Sequence, residues 1–271
     1  MTAESAPETD RLVWAVTVRV WTQHGAGELD LLPDWEPSEF GPLINLAPFL
    51  HRDVAESLVR RRYVYVSDTR LDAMVEHLCE TGMVTRVDGR LHPTEALGSV
   101  REGIERACRE ASWWHWAEHI PMVERALSPA RQVLEAWEPA DVLTRAALEL
   151  SEPEDEAERL FQRLTHLRLV RNEAHVRAWQ AARLEPHEVE VLTGAWTGTN
   201  TVVRGGGSHA PPDPTTEMTK RGLVADGEVT AAGLGLRQQI EDDTNAAVAP
   251  AYSVIDQKAF VNALRALPGT P

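Results

Sequence analysis

A chain of 271 residues, 43% of them apolar, carries enough hydrophobic material for one or two domains. Forty-two acidic against 27 basic side chains give a net charge of -15, which repels polyanions at long range; screening over about 8–10 Å in physiological salt still lets a local basic strip face a duplex. Cys79 and Cys108 form no CxxC pair and have no His-rich partner at zinc-ligand spacing, which argues against a disulfide framework or structural zinc, and no cofactor is expected. No stretch approaches the roughly 18 apolar residues of a membrane span, and the polar, acidic start lacks a signal-peptide core, so a cytoplasmic protein without membrane contact is expected.

Residues 1–10 read as a disordered tail, residues 11–120 as a first unit, and residues 121–271 as a helical linker followed by a second unit. The run LVWAVTVRVWT over 12–22 fits a strand or a short buried helix, and Gly25, Gly27, Pro33, Pro37, Gly41, Pro42 and Pro48 make the next stretch irregular. A helix is expected over 53–62. Ser67, Asp68 and Thr69 are suited to cap a second, carrying Leu71, Met74, Val75 and Leu78 at helical spacing, with Gly82 as its left-handed C-terminal residue. Asp88-Gly89 between two short apolar runs is a two-residue hairpin signature, and Thr94 then caps a long helix running toward Trp116.

In the second half, helices are expected over 129–137 and 139–150, and Ser151 to Glu154 reads as a capping box opening a helix to about Arg171. An unbroken helix over 151–184 would exceed the usual length, so Asn172 is expected to start a new one. Pro186 suits a helix first turn, 189–196 an apolar helical face, and the Gly- and Pro-rich 205–212 a linker. A short helix over 215–221, an Asp226-Gly227 hairpin and a helix capped by Thr230 close the chain.

The two halves share a motif. Residues 94–111, TEALGSVREGIERACREA, align without gaps to residues 230–247, TAAGLGLRQQIEDDTNAA. The match keeps the Thr, an Arg-x-x-Ile-Glu (Arg101, Ile104, Glu105 against Arg237, Ile240, Glu241) and the last Ala, and the preceding Gly and Asp-Gly positions correspond as well. An internal repeat of this kind implies a duplicated unit. Helix, turn, helix, hairpin, helix is the order of a winged helix-turn-helix, so the expected fold is mainly α, with tandem winged helix-turn-helix units and short β-hairpin wings.

In such a unit the second helix would enter a major groove. Ser67, Thr69 and Arg70 begin it, Arg60, Arg61 and Arg62 precede it, and Arg86 and Arg90 flank the wing, which makes this set suited to contact double-stranded DNA. Asp68, Asp72, Glu76 and Glu80 on the same helix oppose that reading, and the alternative is a packing module whose arginines pair with nearby carboxylates. A second candidate is the stretch Arg168, Arg171, Glu173, His175 and Trp179. A helix break at Asn172 would set two guanidinium groups against free N–H groups, a geometry for a small anionic ligand, with His175 as a hydrogen-bond partner or general acid/base. The plainer reading has Glu173 and Arg177 paired at i, i+4 and His175 packed on Trp179. Trp113, Trp114 and Trp116 would fill an interdomain joint or, alternatively, line a ligand pocket or anchor a homodimer. His115 and His119 stand at a metal-chelating i, i+4 spacing but without a third ligand.

Residues 166–192, HLRLVRNEAHVRAWQAARLEPHEVEVL, with residues 220–250, KRGLVADGEVTAAGLGLRQQIEDDTNAAVAP, resemble the SalK-like helix-turn-helix proteins of actinobacteria. The most specific element is Arg168, Arg171, Glu173, His175 and Val176 in the spacing Arg-x-x-Arg-x-acidic-x-His-Val. That resemblance implies winged-helix units similar to the MarR type and lends no settled activity. The expected function is transcriptional regulation by a DNA-binding protein responding to a small molecule, with an anion-binding protein or enzyme on a winged scaffold as the alternative.

Overall fold

The computed structural model describes residues 5–20, 53–62, 68–197 and 214–268. Ser67, the irregular segment after residue 22 and the 205–212 linker lie outside the described residues.

The first helix, α1 (Ser5–Val20), buries Leu12, Val13, Val16 and Val20, a three-to-four-residue spacing that settles the apolar run as helical. It starts inside the stretch expected to be a disordered tail, and Glu8 in its first turn pairs with Arg265 near the end of the chain. Strand β1 (Val54–Ala55) is followed by α2 (Glu56–Arg62), α3 (Asp68–Glu80), β2 (Val84–Val87), β3 (Arg90–Pro93) and α4 (Glu95–Trp116). The helix expected from residue 53 therefore begins at Glu56. Val54 instead pairs with Leu91 in an antiparallel sheet of order β1-β3-β2, where both side chains are buried, and Glu56 donates its N–H to the Gly89 carbonyl.

After one 3-10 turn come α5 (Ile120–Ala136), α6 (Val142–Leu148) and α7 (Glu156–Ala181). Asp155, not Ser151, caps α7, its carboxylate accepting from Glu158 N at 2.9 Å, while Glu152 is engaged by Arg163 at 2.6 Å. No break occurs at Asn172. Leu160, Leu164, Leu167, Val170, Ala174 and Ala178 carry one buried stripe across that point, and burial of a continuous stripe outweighs the local capping preference of a single Asn. The chain continues through α8 (Pro186–Thr197), α9 (Pro214–Lys220), a two-stranded hairpin of β4 (Val224–Ala225) and β5 (Glu228–Val229), and α10 (Ala231–Tyr252). It ends in α11 (Gln257–Ala266), a helix the sequence reading did not foresee. The architecture is mainly helical with small antiparallel sheets.

The two hairpins are built alike. Gly82 and Gly222 both sit at positive φ, +70° and +71°, and the following N–H, of Met83 or Leu223, bonds back to Leu78 or Met218. Asp88-Gly89 and Asp226-Gly227 both take the left-handed angles of a type I′ turn. Thr94 and Thr230 each cap the next helix, each donate the hydroxyl to the Gly82 or Gly222 carbonyl at 2.7 Å, and each donate the N–H to the carbonyl of Met83 or Leu223.

Among the described residues, three apolar clusters form the interior. The largest gathers α1, α5, α7, α10 and α11 around Trp116, Leu160, Leu164, Tyr252 and Phe260. A second lies under the first sheet, with Val59, Leu71, Val75, Leu91 and Leu97, and receives Ala146 and Ala147 of α6. A third holds Trp179, Leu184, Leu192, Met218 and Ile240. Helix α7 reaches all three, through Leu169, the Leu160 to Ala174 stripe and Trp179. Of the three tryptophans expected to fill an interdomain joint, Trp116 is fully buried, in the largest cluster. Trp113 and Trp114 are 59% and 63% exposed, because they fall on the solvent stripe of α4 that also carries Glu102, Glu105, Arg106, Arg109 and Glu110.

Candidate functional site

The basic residues expected to meet DNA divide by element. Arg61 and Arg62 end α2, Thr69 and Arg70 lie in the first turn of α3, and their side chains are not among those described; Ser67 is outside the described residues. Arg86 and Arg90 stand on either side of the first hairpin turn. Arg86 Nε contacts Glu56 Oε1 at 2.6 Å and keeps 43% of its side chain exposed, and Arg90 Nη2 donates to the Asp53 carbonyl at 3.2 Å. Both cations are thus anchored to the segment around β1, so the hairpin and the start of α2 form one piece. The exposed surface of α3 carries Asp72, Glu76 and Glu80. Among the described side chains the favourable charge therefore sits on the hairpin rather than along the helix.

The five residues of the second expectation radiate from α7 in different directions. Arg168 lies over the Trp14 ring at 4.0 Å and donates to Thr17 Oγ1 at 3.1 Å, which ties α7 to α1. Glu173 faces the connection between α5 and α6, and Trp179 packs in the third cluster. Arg171 and His175 do come together, against α10. Arg171 donates to Glu241 Oε2 at 2.6 Å and to Asn245 Oδ1 at 2.9 Å, and His175 Nδ1 stands 3.2 Å from Thr244 Oγ1. Because the Thr244 hydroxyl donates to the Ile240 carbonyl at 2.7 Å, its oxygen is left to accept from His175, so Nδ1 carries the ring proton. The unbroken α7 has no free N–H groups at Asn172, so the helix-terminus part of the expected anion geometry is absent.

Residues that the sequence reading did not place here complete the cluster. Arg237, with 6% of its side chain exposed, contacts Glu241 Oε1 at 2.5 Å, donates Nε to Thr193 Oγ1 at 2.9 Å and lies over the Trp196 ring at 4.9 Å. Two guanidinium groups thereby share one carboxylate. Burial pushes Glu241 up, but Arg237 and Arg171 outweigh it and hold the group below its ordinary range; burial, reinforced by Arg237, pushes His175 down to about 4, against the pull of Glu241. Arg237 and Glu241 were visible as the Arg and Glu of the repeated motif, where the first copy, Arg101 and Glu105, makes an i, i+4 pair at 3.4 Å on a more exposed surface.

Among the described residues no group of three or more His, Cys, Asp or Glu is placed to hold a metal ion, and no helix is long and apolar enough to cross a membrane. The model of a helix-turn-helix family matches residues 83–269, more than half of the chain. The matched residues contain the α8 to β5 segment whole, and take the first unit from its hairpin onward. No curated protein and no solved structure matches the chain.

Proposed function

The chain belongs to a helix-turn-helix family, and from that premise we propose that it is a cytoplasmic, winged-helix transcriptional regulator whose first unit makes most of its contacts with double-stranded DNA. Helix-turn-helix families in general act by placing the second helix of the motif in a major groove. The observation that carries the assignment to the first unit is its hairpin: a type I′ wing with Arg86 and Arg90 on its two strands, joined to β1 and bonded back to the end of α3 by Met83 N–H. Thr69 and Arg70 would read base edges from the N-terminal turn of α3, with Arg61, Arg62, Arg86 and Arg90 on phosphates and Ser67 beside them. The similarly built hairpins support a duplicated, tandem design of winged units similar to the MarR type.

The extent of the family match favours a second reading, because only the second unit lies wholly inside it. That unit exposes Thr216, Thr219 and Lys220, but Arg221 donates to the carbonyls of Arg183 and Ala182, and Glu228 follows its turn where Arg90 follows the first. A mobility shift with mixed-sequence duplex at low salt separates the two. Arg70→Ala and Arg90→Ala weaken the shift under the first reading, Arg90→Ala lowering the salt slope by about 1, whereas only Lys220→Ala weakens it under the second. Undiminished binding by the Arg70→Ala, Arg90→Ala double variant, folded by circular dichroism, refutes assignment to the first unit.

The regulatory half of the proposal places a small anionic ligand at Arg171 and His175. Its support is that two guanidinium groups there, buried Arg237 and half-buried Arg171, face a single carboxylate. Carboxylate or phosphate metabolites would raise the melting temperature of the wild type, and an equal rise in Arg171→Ala would remove that site.

A further inference from the structure

Glu173 is the most thoroughly enclosed acid on α7, 6% exposed, and its hydrogen bonds all go to one short connection. Oε1 accepts from Ala140 N at 2.8 Å and Asp141 N at 3.1 Å, and Oε2 accepts from Trp137 Nε1 at 3.4 Å. A carboxylate removed from water is tolerated only when donors replace its hydration, and two consecutive backbone N–H groups with an indole supply that. The geometry also runs the other way. Trp137 is the C-cap of α5 and Asp141 the N-cap of α6, so Glu173 fixes where one helix stops and the next begins.

Helix α6 packs directly on α7. It is seven residues long, below the length at which a helix is stable by itself. Among its described residues, Ala146 and Ala147 enter the cluster formed by Val59 of α2 and Leu71, Val75 and Leu78 of α3, and α6 also packs directly on α2. A displacement of α6 is therefore felt by the two helices that would meet DNA. On the neighbouring faces of the same turns of α7, Arg168 holds α1 and Arg171 holds α10. Residues 168–173 thus fasten three separate elements to one helix, and the acid among them is the one bonded to the connection that leads into α6, which packs on α2.

We propose that Glu173 is a positioning residue for DNA binding: through the 137–141 connection and α6 it sets the pose of α2 and α3 against the spine of the molecule. The inference rests on the reading that the first unit binds DNA. It concerns a residue that touches no nucleic acid and would be missed by any search of the basic surface.

The test uses the intact chain. In Glu173→Ala the amides of residues 140 and 141 lose their acceptor, and exchange at those residues and in α6 and α2 accelerates. Duplex affinity at fixed salt falls by about tenfold or more, the scale of one lost specific contact, while the salt slope stays at the wild-type value because no phosphate contact is removed. Glu173→Gln, which keeps an acceptor for the two backbone groups but turns a donor toward Trp137, falls between. Leu264→Ala, a fully buried truncation in α11, lowers stability without loosening α6 and leaves affinity unchanged. Wild-type affinity in Glu173→Ala, or unaltered exchange in α6, overturns the positioning role alone; absence of duplex binding by the wild type overturns the DNA reading and this inference with it.

Discussion

Two histidines of α7 make stability depend on pH in a calculable way. His166 is pushed down to about 4, first by burial, against the pull of Glu152; His175 is brought to about 4 by burial and then by Arg237. For each, the folded chain refuses a proton that the unfolded chain takes up near the ordinary value of 6.5. The stabilisation is therefore fully present above about pH 6.5 and is lost as pH falls toward 4. At pH 5 the loss is about 2 kcal/mol per histidine, or about 4 kcal/mol for the pair, a large part of the roughly 5–15 kcal/mol that holds a domain folded. Glu152 and Glu241, both held below their ordinary range, lose their contribution in the same direction, lower on the pH scale. Urea unfolding followed by circular dichroism at pH 7 and pH 5 reads the difference, and His166→Leu should remove about half of it. Unfolding free energies equal within about 1 kcal/mol at the two pH values would show that these imidazoles are not buried as neutral groups.

Two further predictions follow from backbone geometry. A Cβ at Gly233 would lie 2.5 Å from the Leu223 carbonyl oxygen and 2.7 Å from Val229 Cγ1, whereas one at Gly235, a half-turn on in the same helix, meets nothing within 4 Å. Gly233→Ala should cost about 1–3 kcal/mol by overpacking and Gly235→Ala should stabilise by up to about 1 kcal/mol; calorimetry finding the reverse order would contradict the packing of α10 on its hairpin. Thr94 and Thr230 share the hydroxyl bond to the preceding glycine carbonyl and the helix cap, so Thr94→Val and Thr230→Val should each cost about 1–2 kcal/mol. Serine at either position should restore most of the loss, and widely different costs at the two would show that the hairpins are not held alike.

Much of the local structure was legible because it is governed by residues with few conformational options. Gly82, the two Asp-Gly turns and the capping Thr94 and Thr230 announce themselves, since positive φ and a free helix N-terminus each admit a short list of side chains. What eluded the sequence depends on burial against distant segments. Asn172 has the chemistry of a cap but lies in a helix whose buried stripe continues past it, and Ser151 lost to Asp155 because Glu152 is drawn to Arg163. Val54 is extended because Leu91, thirty-seven positions on, pairs with it. The charged cluster was half legible: Arg171 and His175 stood out by spacing, but only the packing of α7 on α10 shows that Glu241 and Arg237 meet them.

The proposal that the first unit reads DNA is tested most directly by amide exchange on the intact chain with and without a duplex selected from a random pool. The account predicts that protection gained on binding falls within 53–62 and 68–93, greatest at the start of α3 and across the turn at residues 86–90. Protection confined to 186–229, or none at saturating duplex in low salt, would contradict it.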